Sequence, residues 1–246
     1  MALTPGQSAR YARHIVLKDL GGAGQQKLAA AHVAIVGAGG LGAPVIAYLA
    51  GAGVGRLTII DPDTVSLSNL SRQVIYAETD LDCPKAESAA RFVEALNAEI
   101  VVQPLVQALD DGNAAQLLSG VDLVVEGTDS FAVKRRVAAI CRETERPLVM
   151  GALGPFDGSL TVLAPFLARK NGGAYPRFEA LYPRDPRPED SPPCEQVGVL
   201  SVLPGIVGTM MANEAIKWVA GYGDPLLGKL LIYSARTGES RVMTYR

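Results

Sequence analysis

A chain of 246 residues that is 48% hydrophobic, with a mean hydropathy of +0.19, has enough apolar mass for one large α/β domain and too much for a disordered segment. Its formal net charge of −2 argues against a general binder of nucleic acid or of anionic membrane, since such binding rests on clustered Lys and Arg. The cysteines Cys83, Cys141 and Cys194 form no C-x-x-C pair and do not neighbour His14 or His32. No structural zinc is expected on these grounds, and a reducing cytoplasm is the expected compartment. Met1 to Ile15 lacks the apolar run of a secretory leader, and no later run is long enough for a membrane span.

Ser8 to Leu17 reads as a helix whose basic face, Arg10, Arg13, His14 and Lys18, is by itself an ordinary solvated surface. Gly21-Gly22 is expected to break the chain before a short helix, Gln25 to Ala31. Val33 to Val36 is a short buried strand, and Gly37, Gly39 and Gly42 follow it as G-x-G-x-x-G, with Gly40 inside the motif. A helix with Pro44 in its first turn then runs to Ala52, where the missing N–H of proline costs little. A strand, a glycine turn and a helix N-terminus together make a phosphate site, the competing reading being a merely structural turn. Leu57 to Ile60 is a second strand that ends at Asp61. That acid lies about 20 residues past the glycines, the distance at which a carboxylate accepts from a ribose hydroxyl.

Pro62 to Gln73 is a polar loop with room for one 3₁₀ turn. A helix from Pro84 to Asn97 has an apolar face of Ala89, Phe92, Val93 and Leu96. Lys85 sits in its first turn, which the helix dipole disfavours unless an anion is present; a solvated lysine is the plain alternative. A strand at Ile100 to Val102, a helix at Asp110 to Leu118 and a very apolar strand at Val121 to Val125 come next. That strand ends in Glu126-Gly127-Thr128-Asp129-Ser130, with a helix to Glu143 and a strand from Pro147 to Gly151 behind it. The alternation implies a Rossmann-like, mainly parallel sheet with flanking helices, and ligands bind beyond the carboxyl ends of such strands. The glycine turn, Asp61 and Asp129 all belong at those ends.

After Gly151 the composition changes. Ser159 to Leu163 is a strand, and Ala164 to Pro193 is loop-like with seven prolines. Pro204 to Gly221 is a long helix in which Met210 and Met211 fill core, and Lys229 to Tyr233 pairs with Arg241 to Tyr245 as an antiparallel hairpin. We read one domain, 1–246: N-terminal helices (1–31), a nucleotide-binding core (32–152) and an antiparallel C-terminal part (153–246) with a mobile loop (164–197).

The nucleotide is either NAD or ATP. Hydride transfer has no use for a cluster of cations, and neither histidine lies where a nicotinamide base belongs. Arg72 and Lys85 suit phosphates and Asp129 suits Mg²⁺, so ATP is favoured over an NAD-dependent oxidoreductase.

Several runs stand in order along the chain: Arg10-Tyr11-Ala12-Arg13-His14-Ile15, Gly37 to Gly42, Asp61-Pro62-Asp63-Thr64-Val65-Ser66-Leu67-Ser68-Asn69-Leu70-Ser71-Arg72-Gln73, Pro84-Lys85, Gly127-Thr128-Asp129, Cys194 to Val199 and Gly221 to Lys229. With them the sequence resembles the MoeB/ThiF/HesA family of ubiquitin-activating-enzyme-like adenylyltransferases, closest to the MoeB type, over nearly its whole length. The resemblance implies that a small ubiquitin-like sulfur carrier ending in Gly-Gly offers its C-terminal carboxylate to the α-phosphate of ATP, for molybdopterin or thiamine biosynthesis. It implies that Gly37, Gly39, Gly40 and Gly42 contact ATP and that Asp61 holds the ribose. Asn69, Arg72, Gln73 and Lys85 would bind the nucleotide and its phosphates, and Asp129 would bind Mg²⁺. Arg13 would reach from one copy of a homodimer into the partner's site, and residues 153–246 would bind the carrier.

Two departures bear on this. The zinc-binding C-x-x-C pairs of many relatives are missing around Gly173 to Phe178 and at Arg246, so the resemblance implies a lost zinc. Cys194 stands where some relatives link covalently to the activated tail; beside Glu195 nothing lowers its pKa, and a semi-buried thiol is the other reading. A non-catalytic dimeric module that keeps only the carrier groove is the remaining alternative.

Overall fold

The computed structural model describes residues 3–170, 172–184 and 198–246. Its centre is β1 (His32–Val36), whose Val33 and Ile35 face one apolar layer while Ala34 and Val36 face the other. A strand buried on both faces reads as a continuous apolar run rather than an alternation. β2 (Arg56–Ile60), β3 (Val101–Leu105), β4 (Leu123–Glu126) and β5 (Leu148–Leu153) are parallel to it, while β6 (Asp157–Leu163), β7 (Lys229–Ser234) and β8 (Ser240–Thr244) complete the sheet antiparallel. The eight strands among the described residues lie in the order β3-β2-β1-β4-β5-β6-β7-β8, the expected parallel core with an antiparallel C-terminal part. Strand order reverses at β1, between β2 and β4, which is where open α/β sheets leave a crevice.

On one face pack α3 (Gly21–Ala30), α4 (Gly42–Ala52), α5 (Lys85–Leu96) and the helix Val202–Ala220. On the other lie α6 (Ala114–Leu117), α7 (Phe131–Glu143) and α8 (Phe178–Leu181), so that Val202–Ala220 is α9 among the described residues. No described helix is long and apolar enough to cross a membrane.

Four expectations change. The first helix is broken at Tyr11 into α1 (Pro5–Arg10) and α2 (Ala12–Ile15), because the Tyr11 ring is buried against Gly53 and its hydroxyl accepts from Asn97 Nδ2 at 2.8 Å. Gly21-Gly22 does not break the chain but starts α3, with Gly21 at φ +60. The helix expected from Asp110 shrinks to α6, since Asp110 Oδ1 accepts the N–H groups of Gly112 (2.8 Å) and Asn113 (3.1 Å) and so competes with helical pairing. Leu96, assigned to the buried face of α5, is 41% exposed at its last turn.

The Pro-rich segment is in part a built structure. Phe178 is buried and packs with Phe131 and Tyr182 at ring-centroid distances of 5.5 and 5.1 Å, and the Arg135 guanidinium lies 5.2 Å from the Phe178 ring. These contacts hold residues 178–182 against α7. Residues 185–197 of the expected mobile loop, Cys194 among them, lie outside the described residues.

Candidate active site

A cleft of about 570 Å³ opens at the carboxyl ends of β1, β2, β4 and β5. Gly37, Gly39, Gly40, Asp61, Asn69, Arg72, Gln73, Lys85 and Asp129 all line it. Gly37 ends β1 at φ +89, and a Cβ there would stand 2.9 Å from Thr128 Cγ2, so only glycine lets the β1 and β4 turns approach. Gly42 does not line the cleft. A side chain on it would overlap the Gly37 carbonyl, so its bareness lets α4 close onto the turn.

Asp61, 4% exposed, takes the Ala38 N–H at 2.7 Å on Oδ2 and the Asp63 N–H at 2.8 Å on Oδ1. Burial pushes its carboxyl above the usual range, against the pull of those two N–H groups and of Lys85. Each oxygen keeps a second lone pair for a ligand hydroxyl. The loop beyond Asp61 then folds back. Val65 N–H bonds Cys83 O and Lys85 N–H bonds Asp63 O, each at 2.9 Å, which sets the first turn of α5 beside the Asp61 strand end. Lys85 is buried, and its Nζ lies 3.0 Å from the exposed carboxylate of Asp63. Within the same loop the 3₁₀ turn Leu67–Asn69 buries Asn69, and Arg72 donates to Ser68 O at 3.0 Å from the rim.

Residues the motifs did not single out complete the frame. The buried Tyr76 hydroxyl donates to Ala38 O at 2.8 Å, tying the glycine turn to the loop; burial, and then the charge of Asp61, push its phenol upward. Glu126 and Lys134 form a buried ion pair at 2.7 Å under the β4 turn, and Lys134 is also part of the cleft lining. Arg136, Tyr182 and Arg184 line the far side. Helical spacing held one clue, since Lys134, Val137, Ala138 and Cys141 share one buried stripe of α7.

The donor set fits a nucleoside triphosphate with its metal. Bare glycine backbone leaves a cradle, Arg72, Lys85 and Asn69 are among the groups lining it, and Asp129, whose carboxylate has no partner among the described residues, stands at the end of β4. Gln73 is 3% exposed and its Oε1 finds no partner among the described residues, an acceptor with room for a ligand or water. Arg13 is not at this cleft. It sits exposed on α2. Cys194 lies outside the described residues.

The chain is similar to known proteins along nearly its whole length. The chain is 42% identical over 246 residues to the SAMP-activating enzyme E1 of Haloferax volcanii, covering 100% of this chain and 88% of that protein. It is 40% identical over 247 residues to the sulfur carrier protein adenylyltransferase of Thermus thermophilus, covering 100% of this chain and 90% of that one. With the molybdopterin-synthase adenylyltransferase of Salmonella typhimurium it shares 38% over 241 residues, 98% of this chain and 94% of that one. Among solved structures, E. coli MccB with succinimide superposes at a TM-score of 0.80 over 96% of this chain and 72% of that one, at 22% identity, a likeness of fold. The ThiF family model matches residues 11–246. The chain belongs to the ThiF family.

Proposed function

We propose that this protein is an ATP- and Mg²⁺-dependent adenylyltransferase acting on the C-terminal Gly-Gly carboxylate of a small ubiquitin-like sulfur carrier, in the cytoplasm, for molybdopterin or thiamine biosynthesis. The observation that carries the reading is the convergence of Asp61, Asn69, Arg72, Lys85 and Asp129 on one glycine-lined cleft. Relatives at 38–42% identity named as a SAMP-activating enzyme, a sulfur carrier protein adenylyltransferase and a molybdopterin-synthase adenylyltransferase support it.

The difficulty of the reaction is electrostatic. An ionised carboxylate must approach a polyanion, and the approach is unfavourable until the phosphates are neutralised. A carboxylate oxygen forms a bond to the α-phosphorus, the bond to the bridging oxygen breaks, and pyrophosphate leaves with the electron pair; no proton needs to move. Asp61 receives the ribose hydroxyls and fixes the nucleotide along β2. Arg72 and Lys85, with Asn69 and Gln73, draw charge off the phosphates. To do so Lys85 must exchange Asp63 for phosphate, and Asp63, its side chain 65% exposed, is free to turn into solvent. Mg²⁺, when held by Asp129, supplies further charge neutralisation on the phosphates.

Arg13 enters this scheme in trans. It is exposed on α2 and does not line its own cleft, which leaves it available to the role that the family resemblance implies, reaching the site of a second copy in a homodimer with two shared sites. Cys194 would act after adenylylation, its thiol losing its proton and attacking the carbonyl of the acyl-adenylate, so that a thioester forms as the bond to AMP breaks and AMP leaves.

Calorimetric titration with Mg-ATP and with NAD tests the reading. We expect saturable Mg-ATP binding that Asp129→Ala weakens, and no NAD binding. NAD binding alone would overturn it.

A further inference from the structure

Asp129 is exposed, and its carboxylate makes no hydrogen bond or ion pair among the described residues. With no partner of its own among those residues, it can reach only a region limited by the backbone of the turn that carries it. That turn is held from below. Glu126, fully buried at the end of β4, accepts the Thr128 N–H on Oε1 at 2.7 Å, and the Thr128 hydroxyl donates to the same oxygen. Its other oxygen takes Lys134 Nζ at 2.7 Å, and Lys134 also donates to Gly151 O on β5 at 2.6 Å.

A buried ion pair is a poor way to stabilise a core, because well-packed apolar residues do as well or better. This one lies where it can do something else. It pins Thr128, the residue before Asp129, and Thr128 is also the residue that packs on the bare face of Gly37. The pair thus fixes the Asp129 turn relative to both the glycine turn and the end of β5.

We infer that Glu126 and Lys134 are positioning residues for Asp129, aiming its carboxylate at the metal-bearing phosphates through Thr128. The inference rests on the nucleotide reading given above. It differs from a purely structural role in one respect: it predicts a loss in the metal-dependent part of binding beyond any loss of metal-free affinity.

The test is calorimetry with ATP in chelator and with Mg-ATP. It uses wild type, Lys134→Met, Lys134→Arg and the double variant Glu126→Leu/Lys134→Met. The double variant leaves no unpaired buried charge, so it keeps a folded protein available if Lys134→Met unfolds. We expect Mg²⁺ to tighten ATP binding in wild type and in Lys134→Arg. In Lys134→Met and the double variant that tightening, read as the ratio of metal-free to Mg-ATP dissociation constants within each variant, should fall by about tenfold, over and above any change in metal-free affinity from losing a cation of the cleft lining. Full tightening in the folded double variant would overturn the inference, as would an equal loss with and without metal. A wild type that binds no ATP would overturn the nucleotide reading itself. One that binds ATP equally with and without Mg²⁺ would remove the metal role of Asp129 and this inference, leaving nucleotide binding intact.

Discussion

Gly39→Ala and Gly42→Ala should behave differently although both residues belong to one motif. A Cβ on Gly42 would lie 2.8 Å from the Gly37 carbonyl carbon and closer still to its oxygen. Both partners are backbone, so neither can yield by changing rotamer. The first turn of α4 must be pushed off β1, disturbing Leu41, which is 3% exposed. Overpacking against fixed atoms costs about 3 kcal/mol, the upper end of the usual range. For a chain of this size that is a fall of roughly 6–12 °C in Tm. A Cβ on Gly39, by contrast, meets nothing nearer than Gln73 Nε2 at 3.6 Å, an ordinary contact. Its stability should change by no more than about 0.5 kcal/mol. The methyl group enters the cleft, however, and holds a phosphate off the backbone, so Mg-ATP affinity should fall by about tenfold, or ~1.4 kcal/mol. Thermal denaturation and calorimetry on the two variants read both quantities. Wild-type affinity in Gly39→Ala would refute the phosphate cradle, and an unchanged Tm in Gly42→Ala would refute the packing argument.

Arg72→Ala should cut carrier-dependent pyrophosphate exchange by about 10²–10³-fold while leaving Tm unchanged, since the side chain's one described bond is to Ser68 O at the rim. Normal exchange would remove Arg72 from the site. Mixed dimers of Arg13→Ala and Asp129→Ala chains should regain part of the activity that each lacks, because one of the two shared sites would be intact; verified heterodimers without rescue would count against the trans arginine. His32, whose Nε2 lies 2.8 Å from Thr58 Oγ1, is held below its ordinary pKa of about 6.5, chiefly by burial. Its contribution to stability is complete above that value and is lost as pH falls through the lower folded-state pKa, because the unfolded chain takes up the proton first. Urea midpoints measured from about pH 8 to about pH 5 should decline less steeply in His32→Gln; parallel curves would show that another group sets the slope. Burial, and then Glu126, raise the pKa of the Cys141 thiol, so alkylation of native protein should mark the half-buried Cys83 well before Cys141.

What the sequence made legible was local or periodic. Val33 to Gly42 could be read because a strand, a glycine turn and a helix start are each specified within a few residues, and Asp61 because the crossover length is fixed by geometry. Segment 178–182 could not, since its order comes from Phe131, far earlier in the chain and silent as a partner until the fold brings it near. Tyr76 escaped notice for the same reason: its acceptor, Ala38 O, lies in the glycine turn on another element.

The Glu126–Lys134 pair is the more instructive omission, because the positions of both residues carried the information. Glu126 closes a strand in which every residue is buried, and Lys134 falls on the stripe that also carries Val137, Ala138 and Cys141. A solvated reading suits neither place. A lone charge so placed would be too costly to keep, but two opposite charges, one at a strand's end and one on the inward stripe of the next helix, imply each other. A carboxylate on the turn between them then has its support already built, which is the arrangement around Asp129.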